Sequence, residues 1–243
     1  MGAPFMLDQH DANGAFPDAA LACREPNGLL AIGGDLSPGR LVRAYENGIF
    51  PWFNPGQPIL WWSPEPRAVL TPEKIVVSRS LRKTLRHHPF RVSINENFQQ
   101  VIHACAQPRA YSSQTWIGKE MKNAYIHLHR LGIAHSVEAW YEDQLVGGLY
   151  GLALGRVFFG ESMFSNMSNA SKVAFVHWVK YLHAKGFELI DCQQDTQHLR
   201  SFGAVLMPRA EFIQQLRQWC PIPAEPSLGA DFHSFQQQWL ASP

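Results

Sequence analysis

The stretch from residue 135 to 159 constrains this chain most. HSVEAWY (135–141) alternates its faces, Glu142 and Asp143 supply a two-residue turn, LVGGLYGLAL follows as a glycine-rich run, and residues 156–159 continue it. A side-chain period of two broken by a tight acidic turn is the pattern of antiparallel strands. The expectation is a three-stranded meander. On the N-terminal side, Asn95 can cap a helix reaching Cys105, and a second helix runs from Lys119 to Arg130, with Gly132 ending it. On the C-terminal side, residues 169–184 carry Val173, Phe175, Val176 and Trp178 at helical spacing, and Gly186 closes that helix. FELIDC (187–192) then reads as a short buried strand, followed by a helix, a strand and a helix.

The first 71 residues have another texture. Proline, glycine and tryptophan dominate, and one helix stands out, from Pro38 to about Asn47. Ser37 is placed as its N-cap, Pro38 sits where a missing N–H costs nothing, and Gly48 can take the left-handed position after the last turn. From Lys74 the elements lengthen: IVVS, a short basic helix, then FRVSI as a strand. The chain is therefore expected to be α+β, with a small N-terminal α/β domain over residues 1–71 and a larger domain over residues 72–243.

Composition narrows the partners. Hydrophobic residues make up 46% and charged residues 17% of 243, which suits an ordered core. No apolar run approaches the roughly 18 residues of a membrane span, and no basic segment precedes an apolar one at the start. The four cysteines are far apart, as in a reducing cytosol. The net charge is +1, so any nucleic-acid surface must be local. Arg79, Arg82, Lys83 and Arg86 offer one: they share a helix face, Leu81 and Leu85 take the other, and no acidic residue lies between Ile75 and Asn95. Plain solvated surface is the alternative reading of such a face. His127 and His129, or His87 and His88, are the obvious pairs for a metal, but neither spacing stacks two ligands on a helix face and no Cys or carboxylate completes a set. No metal and no cofactor is expected.

Several residues invite a chemical reading. FFGESMFS (158–165) sets one carboxylate, Glu161, beside Gly160 among aromatic and methionine side chains, where the alternative is a strand-end Glu facing water. IDCQ (190–193) puts Asp191 and Gln193 two apart, so both can point to one face. There Asp191 could orient the Gln193 amide, or simply bond nearby backbone. Leu149, Phe158, Met163, Phe175, Trp178 and Ile190 read as core by pattern alone. Trp52 in FPWF and Trp116 in TWIG stand in loop-like contexts where an indole could stack on a base, or pack one domain on another.

REPNGLLAIGGDLSP (24–38), GIFPWFNPG (48–56), WWSPEPRAVL (61–70), GESMFS and IDCQ together resemble the leucyl/phenylalanyl-tRNA-protein transferase family. The resemblance implies a cytoplasmic, cofactor-independent aminoacyltransferase whose larger domain is GNAT-like. It would move Leu, Phe and less efficiently Met from aminoacyl-tRNA to the N-terminal Arg or Lys of proteins, marking them for degradation by the N-end rule pathway. It implies that Asp191 and Gln193 are a catalytic pair and that Glu161 serves substrate positioning and activity. Leu149, Phe158, Gly160, Met163, Phe175, Trp178 and Ile190 would form the aminoacyl pocket. Trp52 and Trp116 would meet the terminal adenosine, while Arg79, Arg82, Lys83 and Arg86 remain the candidates for tRNA phosphates. Glu161, Asp191 or Glu138 could receive the acceptor's cation. Two rivals remain. An acetyl-CoA-dependent acetyltransferase would share the element order but needs a glycine-paired pyrophosphate loop, which GESMFSNMSNASK lacks. A non-catalytic tRNA-binding module would leave GESMFS and IDCQ without a purpose.

Overall fold

In the computed structural model, which describes residues 3–11, 13–108, 115–223 and 228–241, the chain builds two sheets. The smaller contains β1 (Phe5–Leu7), β2 (Leu29–Gly33), β3 (Phe50–Pro51) and β4 (Leu60–Trp62), in the order β1-β2-β4-β3. Helix α1 (Pro38–Glu46) lies between β2 and β3. Its ends form largely as expected: Pro38 opens it, and Gly48 takes φ +73° after the last turn. Ser37 does not cap with its side chain. Asp35, two residues before it, accepts from Ser37 N at 2.7 Å and from the Arg40 side chain, Nε, at 3.0 Å.

The larger sheet takes β5 (Arg67–Leu70), β6 (Arg91–Ile94), β7 (Ala134–Tyr141), β8 (Gln144–Leu154), β9 (Val157–Ser165), β10 (Leu189–Gln193) and β11 (Val205–Met207). Their order is β11-β5-β10-β9-β8-β7-β6, and the β9–β10 pair is parallel while its other pairs are antiparallel. The expected meander is β7, β8 and β9, and Glu142 and Asp143 turn between the first two with φ of 47° and 61°. The expected break at Thr71 falls just after β5, yet β5 already pairs with β10 and β11, so sheet membership changes between Trp62 and Arg67.

Helices α2 (Arg79–His87), α5 (Ala170–Ala184) and α8 (Phe232–Ala241) contribute to the core on one face of this sheet; α1, α3 (Phe98–Cys105), α4 (Lys119–Arg130) and α7 (Arg209–Trp219) contribute to that on the other. A short α6 (Gln197–Arg200) precedes β11. Neighbours along the strands alternate between the two cores: Leu149 and Phe158 pack with Val173 and Trp178, whereas Tyr150 and Phe159 pack with Tyr45, Trp61 and Tyr125. The N-terminal sheet thus shares a core with one face of the larger sheet.

Three local readings are corrected. The cap of α3 is Asn97, whose Oδ1 accepts from Gln100 N at 3.0 Å. Asn95 cannot serve because its φ is +59° and its Oδ1 is held by Ser136 N of β7. IVVS makes no strand; a 3₁₀ turn at Pro72–Lys74 leads into it, and Val76 N bonds Phe202 O. β9 runs on through GESMFS to Ser165, so Glu161 is within a strand and not at its end.

Glycine in β8 has a steric cause. A Cβ on Gly151 would lie 2.1 Å from Phe159 O and 2.6 Å from Phe158 Cζ. Gly151→Ala is expected to destabilise the protein by about 1 to 3 kcal/mol through overpacking, read as a lower midpoint in urea unfolding at unchanged slope.

Candidate active site

The β9–β10 ladder stops early. Leu189, Ile190 and Asp191 pair with Val157, Phe158 and Phe159, and both strands are irregular immediately beyond. On β9, Gly160 pairs with Gly151 but Ser162 pairs with Tyr150, so Glu161 is the extra residue of a bulge. On β10, Asp191 pairs with Val69 and Gln193 with Ala68, so Cys192 is the extra residue there, and Gln193 has φ +59°. Bulges re-aim side chains and end pairing, and they recur beside active sites. A cleft of about 510 Å³ opens at this point.

The Glu161 carboxyl is hydrogen-bonded on both oxygens. Oε1 accepts from Tyr45 Oη of α1 at 2.7 Å and from Gln193 Nε2 at 2.7 Å; Oε2 accepts from Tyr125 Oη of α4 at 2.9 Å. The two phenol oxygens also contact each other. Burial pushes the Glu161 acid up to about 7, against the hydrogen bonds from the phenols and Gln193, with Asp191 adding a further upward push. Burial first, then Glu161, raises both tyrosines well above their ordinary value.

Asp191 is fully buried and, of the two readings open to it, follows the second: it bonds nearby backbone and not the Gln193 side chain. Arg67 of β5 takes both its oxygens, Nε to Oδ1 at 2.8 Å and Nη2 to Oδ2 at 2.7 Å. Oδ1 also accepts from Gln193 N at 2.8 Å. The Arg67 guanidinium in turn donates to Gly48 O at 3.1 Å and lies between the rings of Phe50 and Phe212, 4.7 and 4.8 Å from their centroids. Simple strand alternation misled the sequence reading because the Cys192 bulge resets the register between Asp191 and Gln193. Burial drives the Cys192 thiol far above its usual range, so it is no nucleophile.

Leu149, Phe158, Met163, Phe175 and Ile190 form an apolar wall of the cleft with Gly160. Trp178 is not part of it. One turn beyond Phe175, it is fully buried and stands edge-on behind Phe158 at 5.2 Å. Trp52 and Trp116 line the cleft as well; Trp52 is 40% exposed, set edge-on to Trp62, whose Nε1 bonds its carbonyl. Phe50, Tyr150, Thr196, His198 and Leu199 are among the other lining residues and carry no signal in the sequence reading. Nor were Tyr45, Tyr125 and Arg67; an Arg inside the apolar run RAVL was the one available signal of a buried partner.

Arg79, Arg82, Lys83 and Arg86 are exposed along α2, with Leu81 and Leu85 buried against the core, and none of the four lines the cleft. Glu138 is buried among Ser93, Ser136 and Asn97 N and does not line the cleft either. Asp191 and Glu161 both line the cleft; Asp191 has both oxygens on Arg67, while the Glu161 oxygens are held by Tyr45, Tyr125 and Gln193. His129 bonds Ala134 O and stacks on Phe98. Among the described residues no three His, Cys, Asp or Glu side chains gather as ligands, and no helix is long and apolar enough to cross a membrane. Where a pyrophosphate loop would lie, Ala170 N is used by Met167 O and Ser171 N by Ser165 Oγ.

An apolar wall meeting a carboxyl, an amide and two phenols suits a substrate with a hydrophobic group beside a polar reacting end. Residues 69–217 match the family model described as leucyl/phenylalanyl-tRNA protein transferase, and residues 34–65 match the model of its N-terminal domain. The chain is 58% identical over 210 residues to the leucyl/phenylalanyl-tRNA–protein transferase of Pseudomonas syringae pv. syringae, covering 86% of this chain and 92% of that one. With the transferase of Nitrosospira multiformis it shares 57% over 213 residues, 88% and 92% of the two chains. It belongs to the leucyl/phenylalanyl-tRNA protein transferase family. Among solved structures, a GCN5-related N-acetyltransferase from Kribbella flavida is similar at a TM-score of 0.37 and 11% identity, over 70% of this chain and 61% of that one.

Removing Arg67 leaves a buried carboxylate without a counter-charge. Arg67→Met is expected to cost about 3 to 5 kcal/mol, and adding Asp191→Asn should restore part of that loss; chemical unfolding of the two variants checks both.

Proposed function

We propose that this chain moves leucine, phenylalanine and, less efficiently, methionine from aminoacyl-tRNA to the N-terminal Arg or Lys of acceptor proteins in the cytoplasm, marking them for the N-end rule pathway. The observation that carries this reading is the join within one cleft of the apolar wall, the Glu161–Gln193 pair and the two indoles. The wall suits an unbranched apolar donor side chain. Such pockets separate neighbours by only about 1 to 3 kcal/mol per methylene, which fits Met as a poorer donor. In this reading Trp52 and Trp116, which both line the cleft, stack on the terminal base, worth about 1 to 3 kcal/mol per base.

The chemistry asks little of the protein. An aminoacyl ester is already activated, and an α-amine with a pKa of about 7.7 to 8.0 is partly neutral at cytosolic pH. Alignment of the two can supply about 7 to 11 kcal/mol. Gln193 spends its amide donor on Glu161, which leaves its carbonyl oxygen to accept from the incoming amine. Asp191 acts at one remove: locked by Arg67, it holds Gln193 N and so fixes the left-handed backbone that presents this side chain. The exposed cations of α2 are the proposed contacts for tRNA phosphates.

Transfer of labelled leucine or phenylalanine from charged tRNA to an Arg-starting peptide tests the activity; dependence on CoA, or tRNA binding without transfer, would overturn it. Gln193→Ala is expected to lower the single-turnover rate about 10²-fold with substrates bound, and Asp191→Ala to act the same way. Full rates in both would end the catalytic-pair assignment. Charge reversal of Arg79, Lys83 and Arg86 should weaken tRNA binding equally across tRNA sequences and flatten its salt dependence, measured by filter binding over a salt series.

A further inference from the structure

The contacts around Glu161 pose a counting problem. Tyr45 Oη meets Oε1 at 2.7 Å, Tyr125 Oη meets Oε2 at 2.9 Å, and the two phenol oxygens are themselves in hydrogen-bond contact. Each of these three contacts needs one proton, and two phenols supply two. With an ionised carboxylate both phenols donate to it, and their own contact sets lone pair against lone pair. We infer that Glu161 is held as a neutral carboxylic acid whose proton closes a three-sided hydrogen-bonded ring with Tyr45 and Tyr125, making the two tyrosines positioning residues for Glu161 and, through it, for Gln193. The Gln193 amide remains compatible, because an acid oxygen keeps a lone pair to accept its 2.7 Å bond.

The surroundings favour the neutral form. The titratable groups facing the carboxyl are Tyr45 on α1, Tyr125 on α4, Tyr150 on β8 and Asp191 on β10. Tyr150 Oη is buried without a hydrogen-bond partner, and the nearby cation, Arg67, is committed to both oxygens of Asp191. An acid raised to about 7 is neutral below that pH, so the ring is closed in mildly acidic solution and opens as pH rises through that value. If the transferase reading holds, Glu161 then serves as a neutral hydrogen-bonding clamp on Gln193, and the acceptor's Arg or Lys draws no counter-charge from it.

The test compares the wild type with Glu161→Gln, whose amide can close the same ring through an N–H, in thermal melts and transfer assays from about pH 5.5 to 8.5, the range that brackets the transition. The wild-type melting temperature should fall relative to that of Glu161→Gln as pH rises toward about 7 and level off above it, because the folded state holds a proton that the unfolded chain has already released between the ordinary carboxylate value and the raised one. The ratio of the Glu161→Gln transfer rate to that of the wild type should rise from the acidic to the alkaline end, whereas Tyr45→Phe, which opens the ring, should lower kcat about 10-fold with KM for aminoacyl-tRNA unchanged. Two results would overturn the inference: carboxylate bands of Glu161 in the infrared difference spectrum of wild type minus Glu161→Gln at the acidic end, or a large rise in KM for the acceptor peptide on Glu161→Gln. The melts and spectra report on the ring even if no aminoacyl-tRNA proves to be a donor, so the two readings fail separately.

Discussion

The buried ion pair between Arg67 and Asp191 is the contact on which the site depends. Taking two charges out of water costs several kcal/mol per ion, and only excellent geometry with further hydrogen bonds offsets it. Here the guanidinium meets both carboxylate oxygens, Gly48 O takes a further N–H, and Phe50 and Phe212 cover the faces of the guanidinium. Those partners come from β3 and the turn before it, from α7 and from β10. One interaction thus ties the N-terminal sheet, the last long helix of the catalytic face and the strand that carries Gln193. A hydrophobic pair could be as stable, but it would not fix the direction of the Gln193 backbone as the 2.8 Å bond from its N–H to Asp191 does.

Much of the fold could be read from sequence, and the exceptions share a cause. The meander, α1, α4 and α5 announce themselves through local signals: period-two alternation, a proline at the first helical turn, glycines after the last. Asn95 is the cap that sequence suggests for α3, but Ser136, 41 positions away, claims its side chain, and Asn97 caps instead. Ser37 does stand at the N-cap of α1, but its hydroxyl makes no cap bond.

The site divides the same way. Glu161 and Gln193 lie in short motifs whose polar residues invite a chemical reading, while the apolar wall reads as core and becomes a pocket only through the resemblance; how these residues are arranged is not visible at all. Period-two reasoning placed Asp191 and Gln193 side by side, and a single bulged residue undid it. Arg67 is 124 positions from Asp191 and Tyr45 is 116 from Glu161, so no windowed pattern could join them. Trp178 reads as core by its helical spacing, and only the resemblance puts it in the pocket; it is core, edge-on to Phe158 and outside the cleft lining. Periodicity reports which face a residue is on; it does not report how many side chains stand in front of it.

The placement of the cleft follows from where two parallel strands stop pairing. β9 and β10 are bonded as far as Phe159 and Asp191, and the next residues on each, Gly160 and Glu161, Cys192 and Gln193, line the opening. A parallel pair that separates leaves backbone groups without ladder partners, which a bound substrate can use. It also leaves a gap that side chains from elsewhere must close. Tyr45 and Tyr125, fully buried, hold the Glu161 carboxyl from helices on one face, while Phe158 of β9 and Phe175 of α5 line the cleft from the other. The polar and apolar walls are therefore each backed by one of the sheet's two cores. A substrate spanning them would have its hydrophobic end on one core and its reacting end on the other, with orientation supplied by the sheet itself and not by any mobile element.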